Sequence, residues 1–230
     1  MTRVDAAILD DPFTTALRGP QSCFARALGN IVTFDPDVSV FYGHPREMTE
    51  QDYRDMAALT GRGRTCSVRD RRTPIPAGLF TPVATFDLVQ YRGDAVASVR
   101  DDAFVELTAA DVPEIIELIE LTEPGPFLPR TIELGTYLGY RDPDSGQLLA
   151  MAGQRLELPG WREISAVCTR PEARGRGLAE RLVRAVVAVT AEQGSAPFLH
   201  TTADNPARRL YERMGFVLTS QVGLEILRVQ

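Results

Sequence analysis

The chain has 230 residues, 44% hydrophobic and 24% charged, which is enough for one large or two small domains with their own cores. Its formal net charge of −6 argues against general binding to nucleic acid or to an anionic membrane surface. No run approaches the roughly 18 apolar residues of a membrane span, and Met1–Asp5 lacks the apolar core of a signal peptide, so we expect a soluble, cytoplasmic protein.

The three cysteines, Cys23, Cys66 and Cys168, are odd in number and show no metal-site spacing. We therefore expect free thiols in a reducing compartment and no bound metal ion.

The first 95 residues predict a mixture of short helices and strands. In chain order, the patterns favour a helix over 12–18, short strands around turns over 30–42, an amphipathic helix over 48–59, a turn at 61–65, a proline-bounded loop at 70–76 and a strand over 83–91. A charged stretch rich in small residues then predicts a linker about residues 88–103. The sequence thus divides into an N-terminal α/β region, 1–95, and a C-terminal domain, 103–230.

The C-terminal domain begins with a predicted strand at 104–107 that leads into a helix over 112–121. Thr108 and Asp111 form a capping-box variant between them. Next come a rigid proline-rich loop, a short helix at 130–134, a strand at 136–141, a hairpin turn at 142–146, and strands over 147–158 and 163–169. This alternation of strands and helices predicts an α/β fold.

The most informative segment is Arg174-Gly-Arg-Gly-Leu-Ala179, where a strand breaks into a glycine-rich turn that opens a helix. Free N–H groups at Gly175 and Gly177, with the positive end of the helix dipole, favour binding of a phosphate group. There is no Gly-Lys-Ser/Thr, which disfavours a P-loop, and no third glycine in register, which disfavours a dinucleotide fingerprint.

A second pattern follows after a predicted strand at 196–202. Asp204-Asn-Pro opens a helix that carries Leu210 and Tyr211 and ends at Gly215 before Phe216. Arg174-x-x-Gly177-x-Ala179 and the string from Asp204 to Phe216 together resemble the two signatures of the GNAT N-acetyltransferase superfamily. Asp204 stands where the family has asparagine, and Asn205 falls one residue late. The resemblance covers roughly residues 103–230. The order of strands and helices there is the order expected of a GNAT core, which implies a mixed, mainly antiparallel twisted sheet flanked by helices.

The resemblance implies acetyl-CoA as co-substrate. The backbone at the end of the strand would meet the pantetheine arm, the glycine turn the pyrophosphate, Asn205 the pantetheine or its loop, and Arg208 the nucleotide, with Arg170 and Arg209 as further candidates. The predicted cofactor-binding residues are Val167, Cys168, Thr169, Arg174, Gly175, Arg176, Gly177, Leu178, Ala179, Asn205 and Arg208.

Aminolysis of a thioester needs a neutral amine, stabilisation of the carbonyl oxygen and a proton for the departing thiolate. The resemblance implies Tyr211 as the general acid and Glu163 as the residue that relays the proton from the amine, with the Val167 amide at the carbonyl oxygen. Glu133 or a water chain could replace Glu163, and His200 is a weaker candidate base. Tyr211 could equally be structural, and Glu163 an exposed carboxylate at a strand end. Cys168 is expected to fill the core, because direct amine attack needs no acyl-enzyme.

The acceptor is expected to be a small-molecule amine or amino acid. The N-terminal region resembles a degenerate second GNAT-like lobe, and residues 127–146 look like the glycine N-acyltransferase-like branch. This implies Arg130 as a carboxylate anchor, and Trp161 either lines the acceptor cleft or packs in a hairpin.

Two other functions stay open: a non-catalytic acyl-CoA-binding regulatory domain, and a protein-interaction module whose glycine turn only caps a helix. The sequence leaves the oligomeric state open.

Overall fold

The computed structural model describes residues 5–230. The expectation that Met1–Asp5 is not a signal peptide concerns residues that lie mostly outside this range. The α-helices of the described chain are α1 Pro12–Arg18, α2 Glu50–Thr60, α3 Val112–Thr122, α4 Leu178–Glu192 and α5 Arg208–Met214. Its strands are β1 Ala25–Leu28, β2 Ile31–Phe34, β3 Tyr42–Gly43, β4 Thr65–Arg69, β5 Phe80–Arg92, β6 Phe104–Leu107, β7 Tyr137–Arg141, β8 Leu148–Leu158, β9 Trp161–Thr169, β10 Ala196–Thr202 and β11 Val217–Val229.

Side-chain caps explain where the early helices begin. The Asp11 side chain accepts a hydrogen bond from the Thr14 amide at the start of α1. Thr49 and Asp52 form a reciprocal capping box at the start of α2, which ends at Gly61. Such caps satisfy N–H groups that the first turn of a helix leaves without a partner.

Eight strands form one sheet in the order β4-β11-β5-β10-β9-β8-β7-β6. Neighbours are antiparallel except β9 and β10, which run parallel. A separate antiparallel sheet has the order β1-β2-β3. The prediction of a mixed, mainly antiparallel sheet flanked by helices is confirmed.

The large sheet joins the two predicted regions. β4 and β5 come from the N-terminal region, yet β5 lies between β11 and β10, both from the C-terminal domain. The prediction of a linker over residues 88–103 is wrong for residues 88–92, because they form the end of β5 and pair with β10 and β11. Val96, also in that stretch, is buried in the main core. Whether residues 1–95 are a degenerate GNAT-like lobe stays a prediction.

The core lies on both faces of the sheet. On one face, Leu182 and Val186 of α4 pack with Ile164 and Leu199. On the other, Phe13 of α1 packs in a cluster with β8, β9 and β10 residues. No helix within residues 5–230 combines the length and apolar character needed to cross a membrane.

Trp161 belongs to that second cluster and is 1% exposed. Its indole N–H donates to the Asp5 carbonyl at 3.0 Å. The expectation that Trp161 lines an acceptor cleft is therefore wrong, and its alternative of packing inside the fold is correct. The indole is buried because α1 and the turn before it cover the start of β9.

Candidate active site

The site begins where two parallel strands separate. β9 and β10 pair in register from Trp161 opposite Ala196 to Ile164 opposite Leu199. Beyond that point β9 pairs only with β8, and β10 pairs only with β5. The gap opens into a cleft of about 710 Å³ between the strand ends, α4 and α5.

A β-bulge shapes the cleft wall formed by β9. Ser165 pairs with Gly153 and Cys168 with Met151, so β9 carries one residue more than β8 over this interval. Within the bulge, Ala166 has a φ of +52°, unusual for a residue other than glycine. Because a bulge bends a strand and disrupts its ladder, it turns the backbone around Val167 toward the cleft.

The glycine turn forms the opposite end of the cleft. Gly175 and Gly177 have φ values of +78° and +74°, and a Cβ at either position would meet no atom within 4 Å. The turn is therefore open, and only glycine adopts its backbone without strain. No side chain caps α4, whose N-cap residue is Gly177. Its first N–H groups therefore remain available to a phosphate group.

Most of the predicted cofactor-binding residues line this one cleft. Those that do are Val167, Cys168, Thr169, Arg174, Gly175, Gly177, Leu178, Ala179 and Asn205. Two predicted arginines do not. Arg176 donates to the Glu172 carbonyl at 3.1 Å, and Arg208 donates to the Tyr91 hydroxyl at 2.8 Å and the Ala203 carbonyl at 2.6 Å.

Other arginines also differ from expectation. Arg170 is buried, pairs with Glu117 at 2.5 Å and donates to the Leu148 carbonyl at 2.9 Å, so it is a core residue. Arg213, which the sequence reasoning did not select, lines the cleft from α5. Arg213 lies two residues after Tyr211 on the helix that borders the cleft, and this position is the sequence feature that could have predicted it as a cleft residue.

Asn205 supports the start of α5. Its side-chain oxygen accepts from the Ala207 amide at 2.9 Å, which forms a turn before the helix. The helix therefore begins at Arg208 rather than at the predicted Asp204. Asn205 thus lines the cleft while part of its side chain orders the loop.

Tyr211 lies on the cleft and is 6% exposed. Its ring packs edge-on against Phe216, with the ring centroids 5.9 Å apart. Burial raises the pKa of Tyr211 to about 12, so the phenol is protonated at neutral pH.

Glu163 lies in a buried ion pair beside the cleft. Arg155 donates to both of its carboxylate oxygens, at 2.8 and 2.7 Å, and the Glu163 side chain is 0% exposed. The favourable charge of Arg155 outweighs burial and lowers the pKa of Glu163 to about 2. Glu163 does not line the cleft, so a direct role as base for the amine does not fit this geometry, and it is not the exposed carboxylate of the alternative.

His200 connects this ion pair to the cleft. Its Nδ1 lies 2.7 Å from Glu163, and its ring stacks on Phe13. Because an ionised carboxylate only accepts hydrogen bonds, Nδ1 carries the proton and Nε2 keeps its lone pair. Burial lowers the pKa of His200, so the ring is neutral at pH 7. His200 lines the cleft, and its buried Nε2 has no partner among residues 5–230.

The other candidates have structural roles. Arg130 forms a two-bond pair with Glu133, both at 2.8 Å, and neither lines the cleft. The structure therefore gives no support to Arg130 as a free carboxylate anchor or to Glu133 as a base. Burial raises the pKa of the Cys168 thiol to about 11, which agrees with core filling rather than nucleophilic attack.

Together, the fold and the cleft define a class of protein. A mixed sheet whose parallel strands separate beside an uncapped helix and a glycine turn is the architecture of an acyl-CoA-dependent N-acetyltransferase with the GNAT fold.

Comparison with known proteins identifies the family. The family model described as FR47-like protein matches residues 137–223. A GNAT-family protein of known structure from Novosphingobium aromaticivorans is 35% identical, with a TM-score of 0.86 over 96% of this chain and 98% of that one. The chain therefore belongs to the GNAT family of acetyltransferases.

More distant structures share the fold. A GCN5-related N-acetyltransferase from Kribbella flavida is 18% identical over 99% of this chain and 96% of its own, with a TM-score of 0.59. A GNAT-family acetyltransferase from Colwellia psychrerythraea is 14% identical over 86% and 80%, with a TM-score of 0.52. A search of curated proteins finds no match. Membership of the glycine N-acyltransferase-like branch stays a prediction.

Proposed function

We propose that this protein transfers an acetyl or another short acyl group from acetyl-CoA to a primary amine by direct transfer in a ternary complex. The observation that carries the proposal is the separation of β9 from β10 directly beside the open glycine turn. One continuous cleft then holds backbone groups, phosphate-binding N–H groups and a protonated phenol.

The groups along the cleft match the successive parts of acetyl-CoA. The uncapped start of α4 and the side chains of Arg174 and Arg213 offer donors and positive charge for the pyrophosphate and the nucleotide phosphate. The bulged backbone at Val167 offers peptide groups to the pantetheine amides. The Val167 amide would also stabilise the negative charge that develops on the carbonyl oxygen.

Two protons must move during transfer. The amine nitrogen bonds to the acyl carbon, the carbon–sulphur bond breaks, and the amine loses a proton while the thiolate gains one. Tyr211, kept protonated by burial, supplies the proton to sulphur. His200 Nε2, which has a free lone pair, accepts the proton from the amine.

In this scheme Glu163 and Arg155 are positioning residues. Glu163 holds the Nδ1 proton of His200 and stabilises the imidazolium that forms, while Arg155 fixes the carboxylate. The relay predicted for Glu163 is thus retained, with His200 as the group that meets the amine.

Isothermal titration of acetyl-CoA followed by a CoA-release screen over a panel of amines tests the proposal. Binding with release for at least one amine supports it. Binding without release for any amine supports the regulatory alternative, and no binding of acetyl-CoA or desulpho-CoA supports the interaction module. All 25 cationic residues are arginine, so the chain has no lysine to acetylate and self-modification of side-chain amines cannot contribute to the signal.

A further inference from the structure

A second, smaller pocket lies in the N-terminal region. It has a volume of about 140 Å³ and is lined by Asp10, Asp11, Phe13, Tyr42, His44, Pro45, Arg46 and Arg69. These residues come from α1 and the turn before it, β3 with the loop after it, and the end of β4. None of them lines the cleft described above.

Arg69 is the unusual residue of this pocket. It is 8% exposed, and its guanidinium donates to the Asp10 carbonyl at 2.9 Å. Its Nε is buried without a partner, and no carboxylate within residues 5–230 forms an ion pair with it. Burial lowers the pKa of Arg69, which reflects the cost of holding this charge away from water. The charges of Asp11, Asp70 and Asp10 act on Arg69 from a distance and favour its charged form, but none of them forms an ion pair with it, and buried charges are ordinarily paired. The Nε–H of Arg69 is therefore a donor left without an acceptor.

The neighbouring side chains do not supply that partner. His44 is buried and neutral: its Nδ1 lies 2.8 Å from the Pro45 carbonyl, and its Nε2 accepts from the Arg69 amide at 3.0 Å. Arg46 pairs with Asp70 at 3.0 Å. Asp11 is occupied as the cap of α1. The planar fork of Arg69 is therefore the group left for a ligand, and a carboxylate matches it in shape and charge.

The pocket lies next to the proposed reaction centre. Phe13 lines the pocket and also stacks on His200, with the ring centroids 5.9 Å apart. The positive charge of Arg69 is close enough to contribute to the lowered pKa of His200. Phe13 is thus the side chain that contacts both the pocket and the imidazole of His200.

We propose that this pocket binds the carboxylate of the acceptor, with Arg69 as the anchor, so that the acceptor is an amine that also carries an acid group. The proposal rests on the proposed transferase function and gives the substrate class of that site. It moves the anchor predicted at Arg130 to the N-terminal region, which then contributes directly to acceptor recognition.

The test compares acceptors with and without the carboxylate. CoA release is measured for glycine, alanine and phenylalanine and for their carboxamides, with wild type, Arg69→Gln and the matched control Arg72→Gln, which removes an exposed guanidinium that does not line the pocket. Losing a hydrogen bond between charged groups should raise KM for the amino acids about tenfold or more in Arg69→Gln. The carboxamides should change less than about twofold, and Arg72→Gln should resemble wild type.

A binding measurement separates this proposal from the transferase function. The chain has two histidines, so labelled His44 gives a resolvable NMR signal inside the pocket. Titration with propionate should shift the His44 signal in wild type and Arg72→Gln but not in Arg69→Gln. Arg69→Lys, which keeps the charge without the fork, should respond weakly and reports on the site if Arg69→Gln folds poorly.

The outcomes are distinct. CoA release that is equal for acids and carboxamides, or a His44 signal that propionate does not shift, overturns the carboxylate pocket and leaves the transferase function intact. A His44 shift that depends on Arg69, with no CoA release from any amine, overturns the transferase function and the acceptor assignment while the anion pocket stands.

Discussion

Replacing Glu163 with glutamine should strongly destabilise the fold, because the carboxylate accepts two hydrogen bonds from buried Arg155 and contacts His200. Removing one partner of a buried ion pair costs about 3–5 kcal/mol, since the other charge is left without compensation. The pKa gives a similar figure. A shift from 4.5 to about 2 on a fully buried carboxyl corresponds to about 3 kcal/mol at neutral pH.

For a chain of this length, 1 kcal/mol lowers the melting temperature by about 2–4 °C, so Glu163→Gln should melt about 10 °C below wild type at pH 7. Circular dichroism or scanning calorimetry measures this directly. Glu133→Gln is the matched control: its pair with Arg130 is exposed, and such pairs contribute about 0–1 kcal/mol. A Glu163→Gln protein that melts within about 2 °C of wild type would refute the reasoning.

The same variant makes a prediction about pH. The folded pKa of Glu163 lies below its unfolded value of 4.5, so its contribution is complete above that pH and is lost as the pH falls toward about 2. The stability difference between wild type and Glu163→Gln should therefore be largest at neutral pH and shrink below pH 4.5. A difference that stays constant down to pH 3 would contradict the assigned pKa direction.

Three further changes probe the cleft. Tyr211→Phe should lower kcat about tenfold or more with unchanged acetyl-CoA affinity by titration; equal rates at every pH would remove Tyr211 as the acid. Gly177→Glu should abolish acetyl-CoA binding, because it adds bulk and negative charge at the proposed phosphate site. The control Gly146→Glu, at a similar φ in an exposed hairpin, should bind acetyl-CoA like wild type. Normal acetyl-CoA binding by Gly177→Glu would overturn the phosphate site. In wild type, kcat/KM should fall as His200 becomes protonated below pH 6.5, and His200→Gln should lose that limb along with most activity. An unchanged pH profile would exclude His200 as the base.

The sequence predicted the parts of the fold that local patterns specify. The helical period of α4 and the glycines before it predicted a turn that opens a helix, and the structure has that turn and helix where expected. β4 was missed, because its short sequence has no clear alternation and its burial comes from pairing with β11. Local sequence patterns also could not predict the order of strands in the sheet, since that order depends on contacts between residues far apart in the chain.

The groups proposed to transfer protons were harder to predict than the residues that line the cleft. Glu163 was selected by its position on the strand, but the register of β8 brings Arg155 onto it, and His200 arrives from a third strand. The buried, unpaired state of Arg69 depends on how α1 and β4 meet. These relations exist only in the packed structure, whereas backbone binding of phosphate needs only the glycine turn.

The position of β5 between β10 and β11 has a consequence for how the protein is made. Phe80 pairs with Val229, at the far end of the chain, so the centre of the sheet cannot close until the last strand has been synthesised. During translation, β4 and β5 are made before β11, so the edges that pair with β11 have no partner at first. Unpaired strand edges are open to mispairing and slow folding. The order of synthesis therefore makes closure of the large sheet one of the last events in folding.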